Sequence, residues 1–180
     1  MIEGRELARD EIERIWAIDR SEVIDAVYQL VGGILVLRRE RHDVNGWPPG
    51  EAARYTPILE NCHDAGGWFY ALFDRRAPVG AAVLEGRFIG EANDQLQLCF
   101  LHVSRSYRHS GFGRQLFGLA ADEARRRGAR SLYVSATPSQ STIDFYLRLG
   151  CRIARAPDPE LFELEPDDIH LEYGLETAGA

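Results

Sequence analysis

A chain of 180 residues, 45% apolar and 27% charged, has enough material for one core of ordinary size, and residues 1–180 read as a single domain. Its net charge of −7 disfavours general nucleic-acid binding, which rewards a basic face, and its apolar runs are too short to span a bilayer. Every one of the 21 lysine-plus-arginine residues is arginine, which excludes a catalytic lysine, and three cysteines without metal-ligand spacing (Cys62, Cys99, Cys151) point to reduced thiols in a cytoplasm.

Residues 2 to 5, IEGR, read either as a first strand or as a protease recognition sequence. The polar, acidic N-terminus does not resemble a signal peptide. Over residues 8–20 the spacing of Ile12, Ile15, Trp16 and Ile18 between charges predicts an amphipathic helix. Two β-rich runs around Gly32 and Gly33 predict a hairpin from Glu22 to Glu40. Residues 42–50, HDVNGWPPG, have the turn chemistry of a loop, and a helix is expected from Glu51 to about His63 despite Pro57. Residues 67–74, 78–89 and 94–103 then read as three strands, with a tight connection at Asp74–Pro78.

A helix with Leu116, Leu119, Ala120 and Ala124 on one face follows, closed by Gly128. RSLYVSA is the next strand. STIDFYLRLG is a helix capped by Ser139 or Ser141 and stopped by Gly150. CRIARA and DIHLEYGL complete the strands. Alternation of strands and helices in this order implies a partly parallel sheet packed by helices.

Gly111 and Gly113 sit in RHSGFG, where a helix is about to start. A helix N-terminus has unpaired N–H groups and partial positive charge, so it suits an anion, and glycine lets the anion approach. Two phosphate loops fail here. A nucleotide-binding P-loop needs lysine, and a dinucleotide fingerprint needs glycine where Leu116 stands.

A third loop matches. LHVSRSYRHSGFGRQL resembles the acetyl-CoA-binding motif of the GNAT superfamily of N-acetyltransferases: strand, Arg or Gln, two residues, Gly, one residue, Gly or Ala, helix. SQSTIDFYLRLGC, about thirty residues on, is similar to that family's later motif of an aromatic pair followed by Leu-Gly. The resemblance covers residues 94–153 and implies an α/β fold with a mixed, largely antiparallel sheet of about six or seven strands flanked by helices on both faces.

It also implies a chemistry: acetyl transfer from acetyl-CoA, the co-substrate, to a primary amine on a small molecule or peptide. Among relatives dimers are common, so a homodimer is compatible with it. Separately, no cluster of residues has metal-ligand geometry, and charge and hydropathy point to no nucleic acid and no membrane. The backbone of Leu101, His102 and Val103 would meet the pantetheine arm. The backbone of His109, Ser110, Gly111, Phe112, Gly113 and Arg114 would wrap the pyrophosphate, with the charges of Arg108 and Arg114 nearby. Ser139 stands where relatives carry a cofactor-binding Asn, and Tyr146 where many hold a tyrosine near the cofactor sulfur.

No base is evident. The positions that carry Glu or His in relatives hold Gln97 and Cys99, and Val134 stands where some have Glu. Glu91, Asp94 and His102 are the alternatives, together with proton loss through water or an acceptor that arrives already deprotonated. Strand alternation turns His102 away from the face of Gln97 and Cys99. Asp43, Trp47 and Tyr55 are candidates for the acceptor wall, and the acidic stretch PDPELFELEPDDIHLE could attract a cationic amine. The rival reading is a non-catalytic acyl-CoA sensor on the same scaffold.

Overall fold

The computed structural model describes residues 1–175. Seven strands form one sheet in the order β1-β4-β5-β6-β7-β9-β8. They are β1 (Ile2–Glu6), β4 (Trp68–Asp74), β5 (Ala77–Ile89), β6 (Gln95–Val103), β7 (Ser131–Ala136), β8 (Arg152–Ile153) and β9 (Ile169–Gly174). Only β6 and β7 run parallel; the other neighbours are antiparallel. This is the mixed, largely antiparallel sheet expected. Residues 2 to 5 are part of an edge strand paired with β4.

On one face lie α2 (Phe112–Arg126) and α3 (Gln140–Leu149). Leu116, Phe117, Ala120, Ala121 and Ala124 of α2 form a buried stripe at helical spacing, and the alanines let the helix sit close to the sheet. On the other face lie α1 (Glu51–Asp64), which contains Pro57, and a 3₁₀ helix, Arg9–Ala17. An α-helix was expected over 8–20. Ile12, Ile15 and Ile18 recur every third residue and are 0%, 0% and 1% exposed, which is the period of a 3₁₀ helix and aligns all three on the core. Burial of each such side chain contributes about 1.5–3 kcal/mol.

The hairpin of β2 (Glu22–Val31) and β3 (Ile34–Val44) does not join the large sheet. It is tied down through Tyr28, whose N–H donates to the Pro138 carbonyl (2.7 Å) and whose hydroxyl donates to Asp144 (2.9 Å). The acidic stretch holds a short helix, α4 (Pro159–Leu164), that the charge pattern did not announce. Its start is locally encoded: the Asp158 carboxylate accepts from the N–H groups of Glu160 and Leu161, and Pro159 occupies the first turn. Among the described residues no helix is long and apolar enough to cross a membrane.

Candidate active site

The central feature is a fork. β6 and β7 pair only at Gln95–Ser131, Leu96–Leu132 and Gln97–Tyr133. Beyond that point β6 keeps β5 as its neighbour through Val103, and β7 keeps β9 through Ala136. Each strand therefore has one unpaired edge facing the other, inside a sheet, where backbone groups ordinarily find partners. An extended chain carrying amides could enter as an added strand. The Val103 carbonyl is already engaged, by Arg108 Nε at 3.0 Å.

β6 leads from the fork to the glycine loop. The loop is held at its base: the Asp19 carbonyl accepts from Arg105 N–H (2.9 Å), Ser104 Oγ accepts from Asp19 N–H (3.0 Å), and Tyr107 donates to Asp74 (2.7 Å). His109 and Gly111 both have positive φ, 63° and 85°. Left-handed residues interspersed in a turn point successive N–H groups to one side, an arrangement suited to anions. Gly111 is the N-cap of α2, and no side chain caps that terminus. The first intrahelical bond of this turn runs from Gln115 N–H to the Gly111 carbonyl (3.0 Å), so the preceding amides point outward.

The two glycines have different reasons. Gly111 supplies the left-handed φ, and a Cβ there would meet nothing within 4 Å. A Cβ on Gly113 would lie 3.2 Å from the ring of Phe145, so that glycine lets α3 close against α2.

Tyr146, on α3, packs edge-on to Phe117 and Phe145 at centroid distances of 6.1 and 5.1 Å. It shares its cluster with Leu98 and Leu101 of β6 and with Val134 and Ala136 of β7, which come from the unpaired halves of the fork. The ring is 6% exposed, and burial, with a smaller contribution from Cys151, drives its pKa far up. The phenol therefore stays protonated at any working pH. Among the described residues its hydroxyl has no hydrogen-bond partner, and it is not sealed from solvent.

Residues 27–151 match the Acetyltransferase (GNAT) family. The chain belongs to the GNAT family. No curated protein matches the sequence. Among solved structures, nourseothricin acetyltransferase is 22% identical with a TM-score of 0.69, covering 97% of this chain and 99% of its own. The paiA N-acetyltransferase of Thermoplasma acidophilum, in complex with coenzyme A, is 16% identical at TM-score 0.63, with 97% and 99% covered. The ribosomal-protein-S18-alanine N-acetyltransferase of Escherichia coli is 16% identical at TM-score 0.60, with 99% and 97% covered.

Within this GNAT chain the fork and the loop bring together most of the residues singled out from the sequence. Leu101, His102 and Val103 lie on the unpaired half of β6. His109, Ser110, Gly111, Phe112, Gly113 and Arg114 form the loop and first turn of α2. Two side chains are otherwise employed. Arg108, bonded to Val103 and 3.4 Å from Glu22, braces the loop. Ser139 is the N-cap of α3: its Oγ accepts from Thr142 N–H (3.3 Å) and donates to Thr142 Oγ1 (2.8 Å), and at 1% exposure it has no surface to offer a ligand. A cap of this kind stabilises by about 1 kcal/mol.

The facing of His102 needs correction. Val83 pairs with Phe100 but Leu84 with Leu98, so Cys99 is an extra residue, a β-bulge. The bulge reverses alternation. Leu98 packs with α2, whereas Phe100, two residues on, packs with the 3₁₀ helix and α1. His102 follows Phe100, with its ring 4.7 Å from Phe100 and 4.9 Å from Trp47, so it lies on the same face as Cys99. Trp47 is fixed there by donating to the Ile18 carbonyl (2.8 Å), which makes it a wall of that face. Asp43 instead pairs with Arg41 at the hairpin surface.

None of the base candidates read from the sequence is suited to the task. Burial, with Arg20 and Arg108 nearby, pulls the His102 pKa down to about 3. Cys62, then burial, push the Cys99 thiol up. Glu91 and Asp94 precede the paired residues Gln95–Gln97, at the closed end of the fork.

His102 gives a stability prediction. Unfolded, it protonates near 6.5; folded, only near 3, so between these values the unfolded state holds more protons and stability falls as pH falls. Glu11, held down to about 2 first by Arg5, adds its own loss only below 4.5. His170, also lowered by burial, acts with the same sign. Urea midpoints of the wild type should thus drop from about pH 7 to about pH 5, and those of His102→Phe should drop less. Parallel curves would mean that His102 is not held neutral.

Proposed function

We propose that this GNAT chain transfers the acetyl group of acetyl-CoA to a primary amine by direct attack through a tetrahedral intermediate. The observation that carries the reading is the conjunction of the fork with an uncapped helix N-terminus at the end of the same strand. A thioester on a flexible amide-bearing arm with a diphosphate at its far end suits both. The backbone of Leu101 to Val103 would pair with the arm, the amides from His109 to Arg114 would bind the diphosphate, and Arg114 would add charge. Tyr146 would supply a proton to the departing sulfur, a neutral phenol being the right form for a donor. The fold neighbours support an amine acceptor, since two of them are named N-acetyltransferases, one of them for the alanine of ribosomal protein S18.

Titration calorimetry of the full chain tests the reading: acetyl-CoA should bind, and more weakly as salt rises, because part of the attraction is to phosphate. Absence of any acyl-CoA affinity in folded protein overturns it. Gln97 and Cys99, which cannot take a proton, favour the acyl-CoA sensor as second reading. Release of free thiol with an amine present separates the two.

A further inference from the structure

If amine acetylation is the reaction, a proton has to leave at the open part of the fork, and Tyr146 with its cluster fills the face of α2 and α3, which leaves the opposite face for a proton acceptor. β7 supplies one residue there. Tyr133 is the last residue of β7 paired to β6, and strand alternation puts Ser135 on the same face as Tyr133, just beyond the pairing. Ser135 Oγ donates to Asp168 Oδ2 at 3.0 Å. Asp168 ends the turn between α4 and β9, where its N–H donates to the Glu165 carbonyl (3.1 Å). The next two residues pair with β7, Ile169 with Ala136 and His170 with Ser135. The carboxylate is thereby fixed over the face of β7 at Ser135, two residues beyond the last one paired to β6.

Its surroundings suit the task. Among the described residues Asp168 has no ion pair, and the Ser135 hydroxyl is the one side chain that donates to it. Around it stand Glu165 and Asp167 in the turn, and His170 on β9, which also feels Asp158. Glu51 and Arg54 of α1 reach toward Glu165. His170 does not supply a cation. Asp158 N–H donates to the Tyr133 hydroxyl (2.9 Å), leaving that hydroxyl to donate to His170 Nδ1 (2.7 Å), and burial lowers the His170 pKa, which disfavours the imidazolium. Burial raises the Asp168 pKa, Asp167 adds to the rise, and Ser135 opposes it. A base works best when its pKa approaches the working pH, and the excess of carboxylates around it favours an ammonium ion.

We propose that Asp168, oriented by Ser135, takes the proton from the acceptor amine; the inference rests on the acetyl-transfer reading. The ammonium gives one proton to Asp168, and its freed lone pair forms the C–N bond to the thioester carbonyl carbon as the carbonyl π pair moves onto oxygen. Collapse of the intermediate breaks the C–S bond. The sulfur takes the Tyr146 proton, the phenolate takes the remaining proton from nitrogen, and Asp168 returns its own to water. One proton reaches solvent per amide formed.

The test measures thiol release from acetyl-CoA with a linear polyamine, free lysine and a peptide with a free N-terminal alanine, alongside acetyl-CoA calorimetry. Asp168→Asn should lower kcat/KM by about 10²–10⁴-fold while acetyl-CoA affinity stays within about twofold. Asp168→Glu should restore part of the rate. Ser135→Ala removes a bond that favours the carboxylate, so the acidic limb of the pH–rate profile should move to higher pH, a shift that a merely structural role would not produce. Wild-type turnover in Asp168→Asn, or an unmoved limb in Ser135→Ala, overturns the assignment of Asp168 alone. Wild-type protein that binds no acetyl-CoA, or releases no thiol with any amine, overturns the transfer reading and this inference with it.

Discussion

Tyr146→Phe should lower turnover by about 10²–10⁴-fold and leave acetyl-CoA affinity within about twofold, because the change deletes one proton donor and little else. The ring sits between Phe117 and Phe145, and phenylalanine keeps those contacts. Among the described residues the hydroxyl bonds to no protein group, so its loss leaves no protein acceptor unpaired. Thermal stability should therefore be unchanged or slightly raised. This pairing of lost turnover with kept stability is what separates a catalytic hydroxyl from a structural one. Turnover equal to wild type would remove Tyr146 from the mechanism.

Gly111→Val should act in the opposite way, on affinity. At φ 85° a β-branched residue is strained, and the loop relaxes by moving that φ to negative values. The outward N–H groups of the first turn then no longer converge. With bonds to a charged group worth about 1.5–3 kcal/mol each, losing two of them would weaken acetyl-CoA binding by about 10²–10⁴-fold. No protein atom lies within 4 Å of the added Cβ, so the loss of stability is confined to the backbone strain. Gly113→Val is the contrast: its side chain meets Phe145, and it should lower the melting temperature as well. Calorimetry and thermal melts on both variants check the pair. Gly111→Val with wild-type affinity would show that the anion is not held by this turn.

What could be read along the chain was whatever a few neighbouring residues encode. The left-handed glycine before α2, a serine cap at Ser139 or Ser141, the closing glycines at Gly128 and Gly150, and the alternation of the central strands all act within a turn or a strand. The same signals carried the family resemblance. Two further local signals are of the same kind. The every-third spacing of Ile12, Ile15 and Ile18 announces a 3₁₀ helix, and Asp158-Pro159-Glu160 announces the start of α4.

By itself, then, the sequence determined the glycine turn before α2, the tyrosine-bearing helix and the order of strands and helices, since each rests on backbone preferences and periodicity over a few residues. Only the tertiary structure decided which face His102 takes, that Ser139 is spent as a cap, and that Asp168 meets Ser135 across 33 positions of sequence. A bulge exists only relative to a neighbouring strand, and a fork only where pairing between two strands stops. Those are properties of register between distant segments, and no local preference records them.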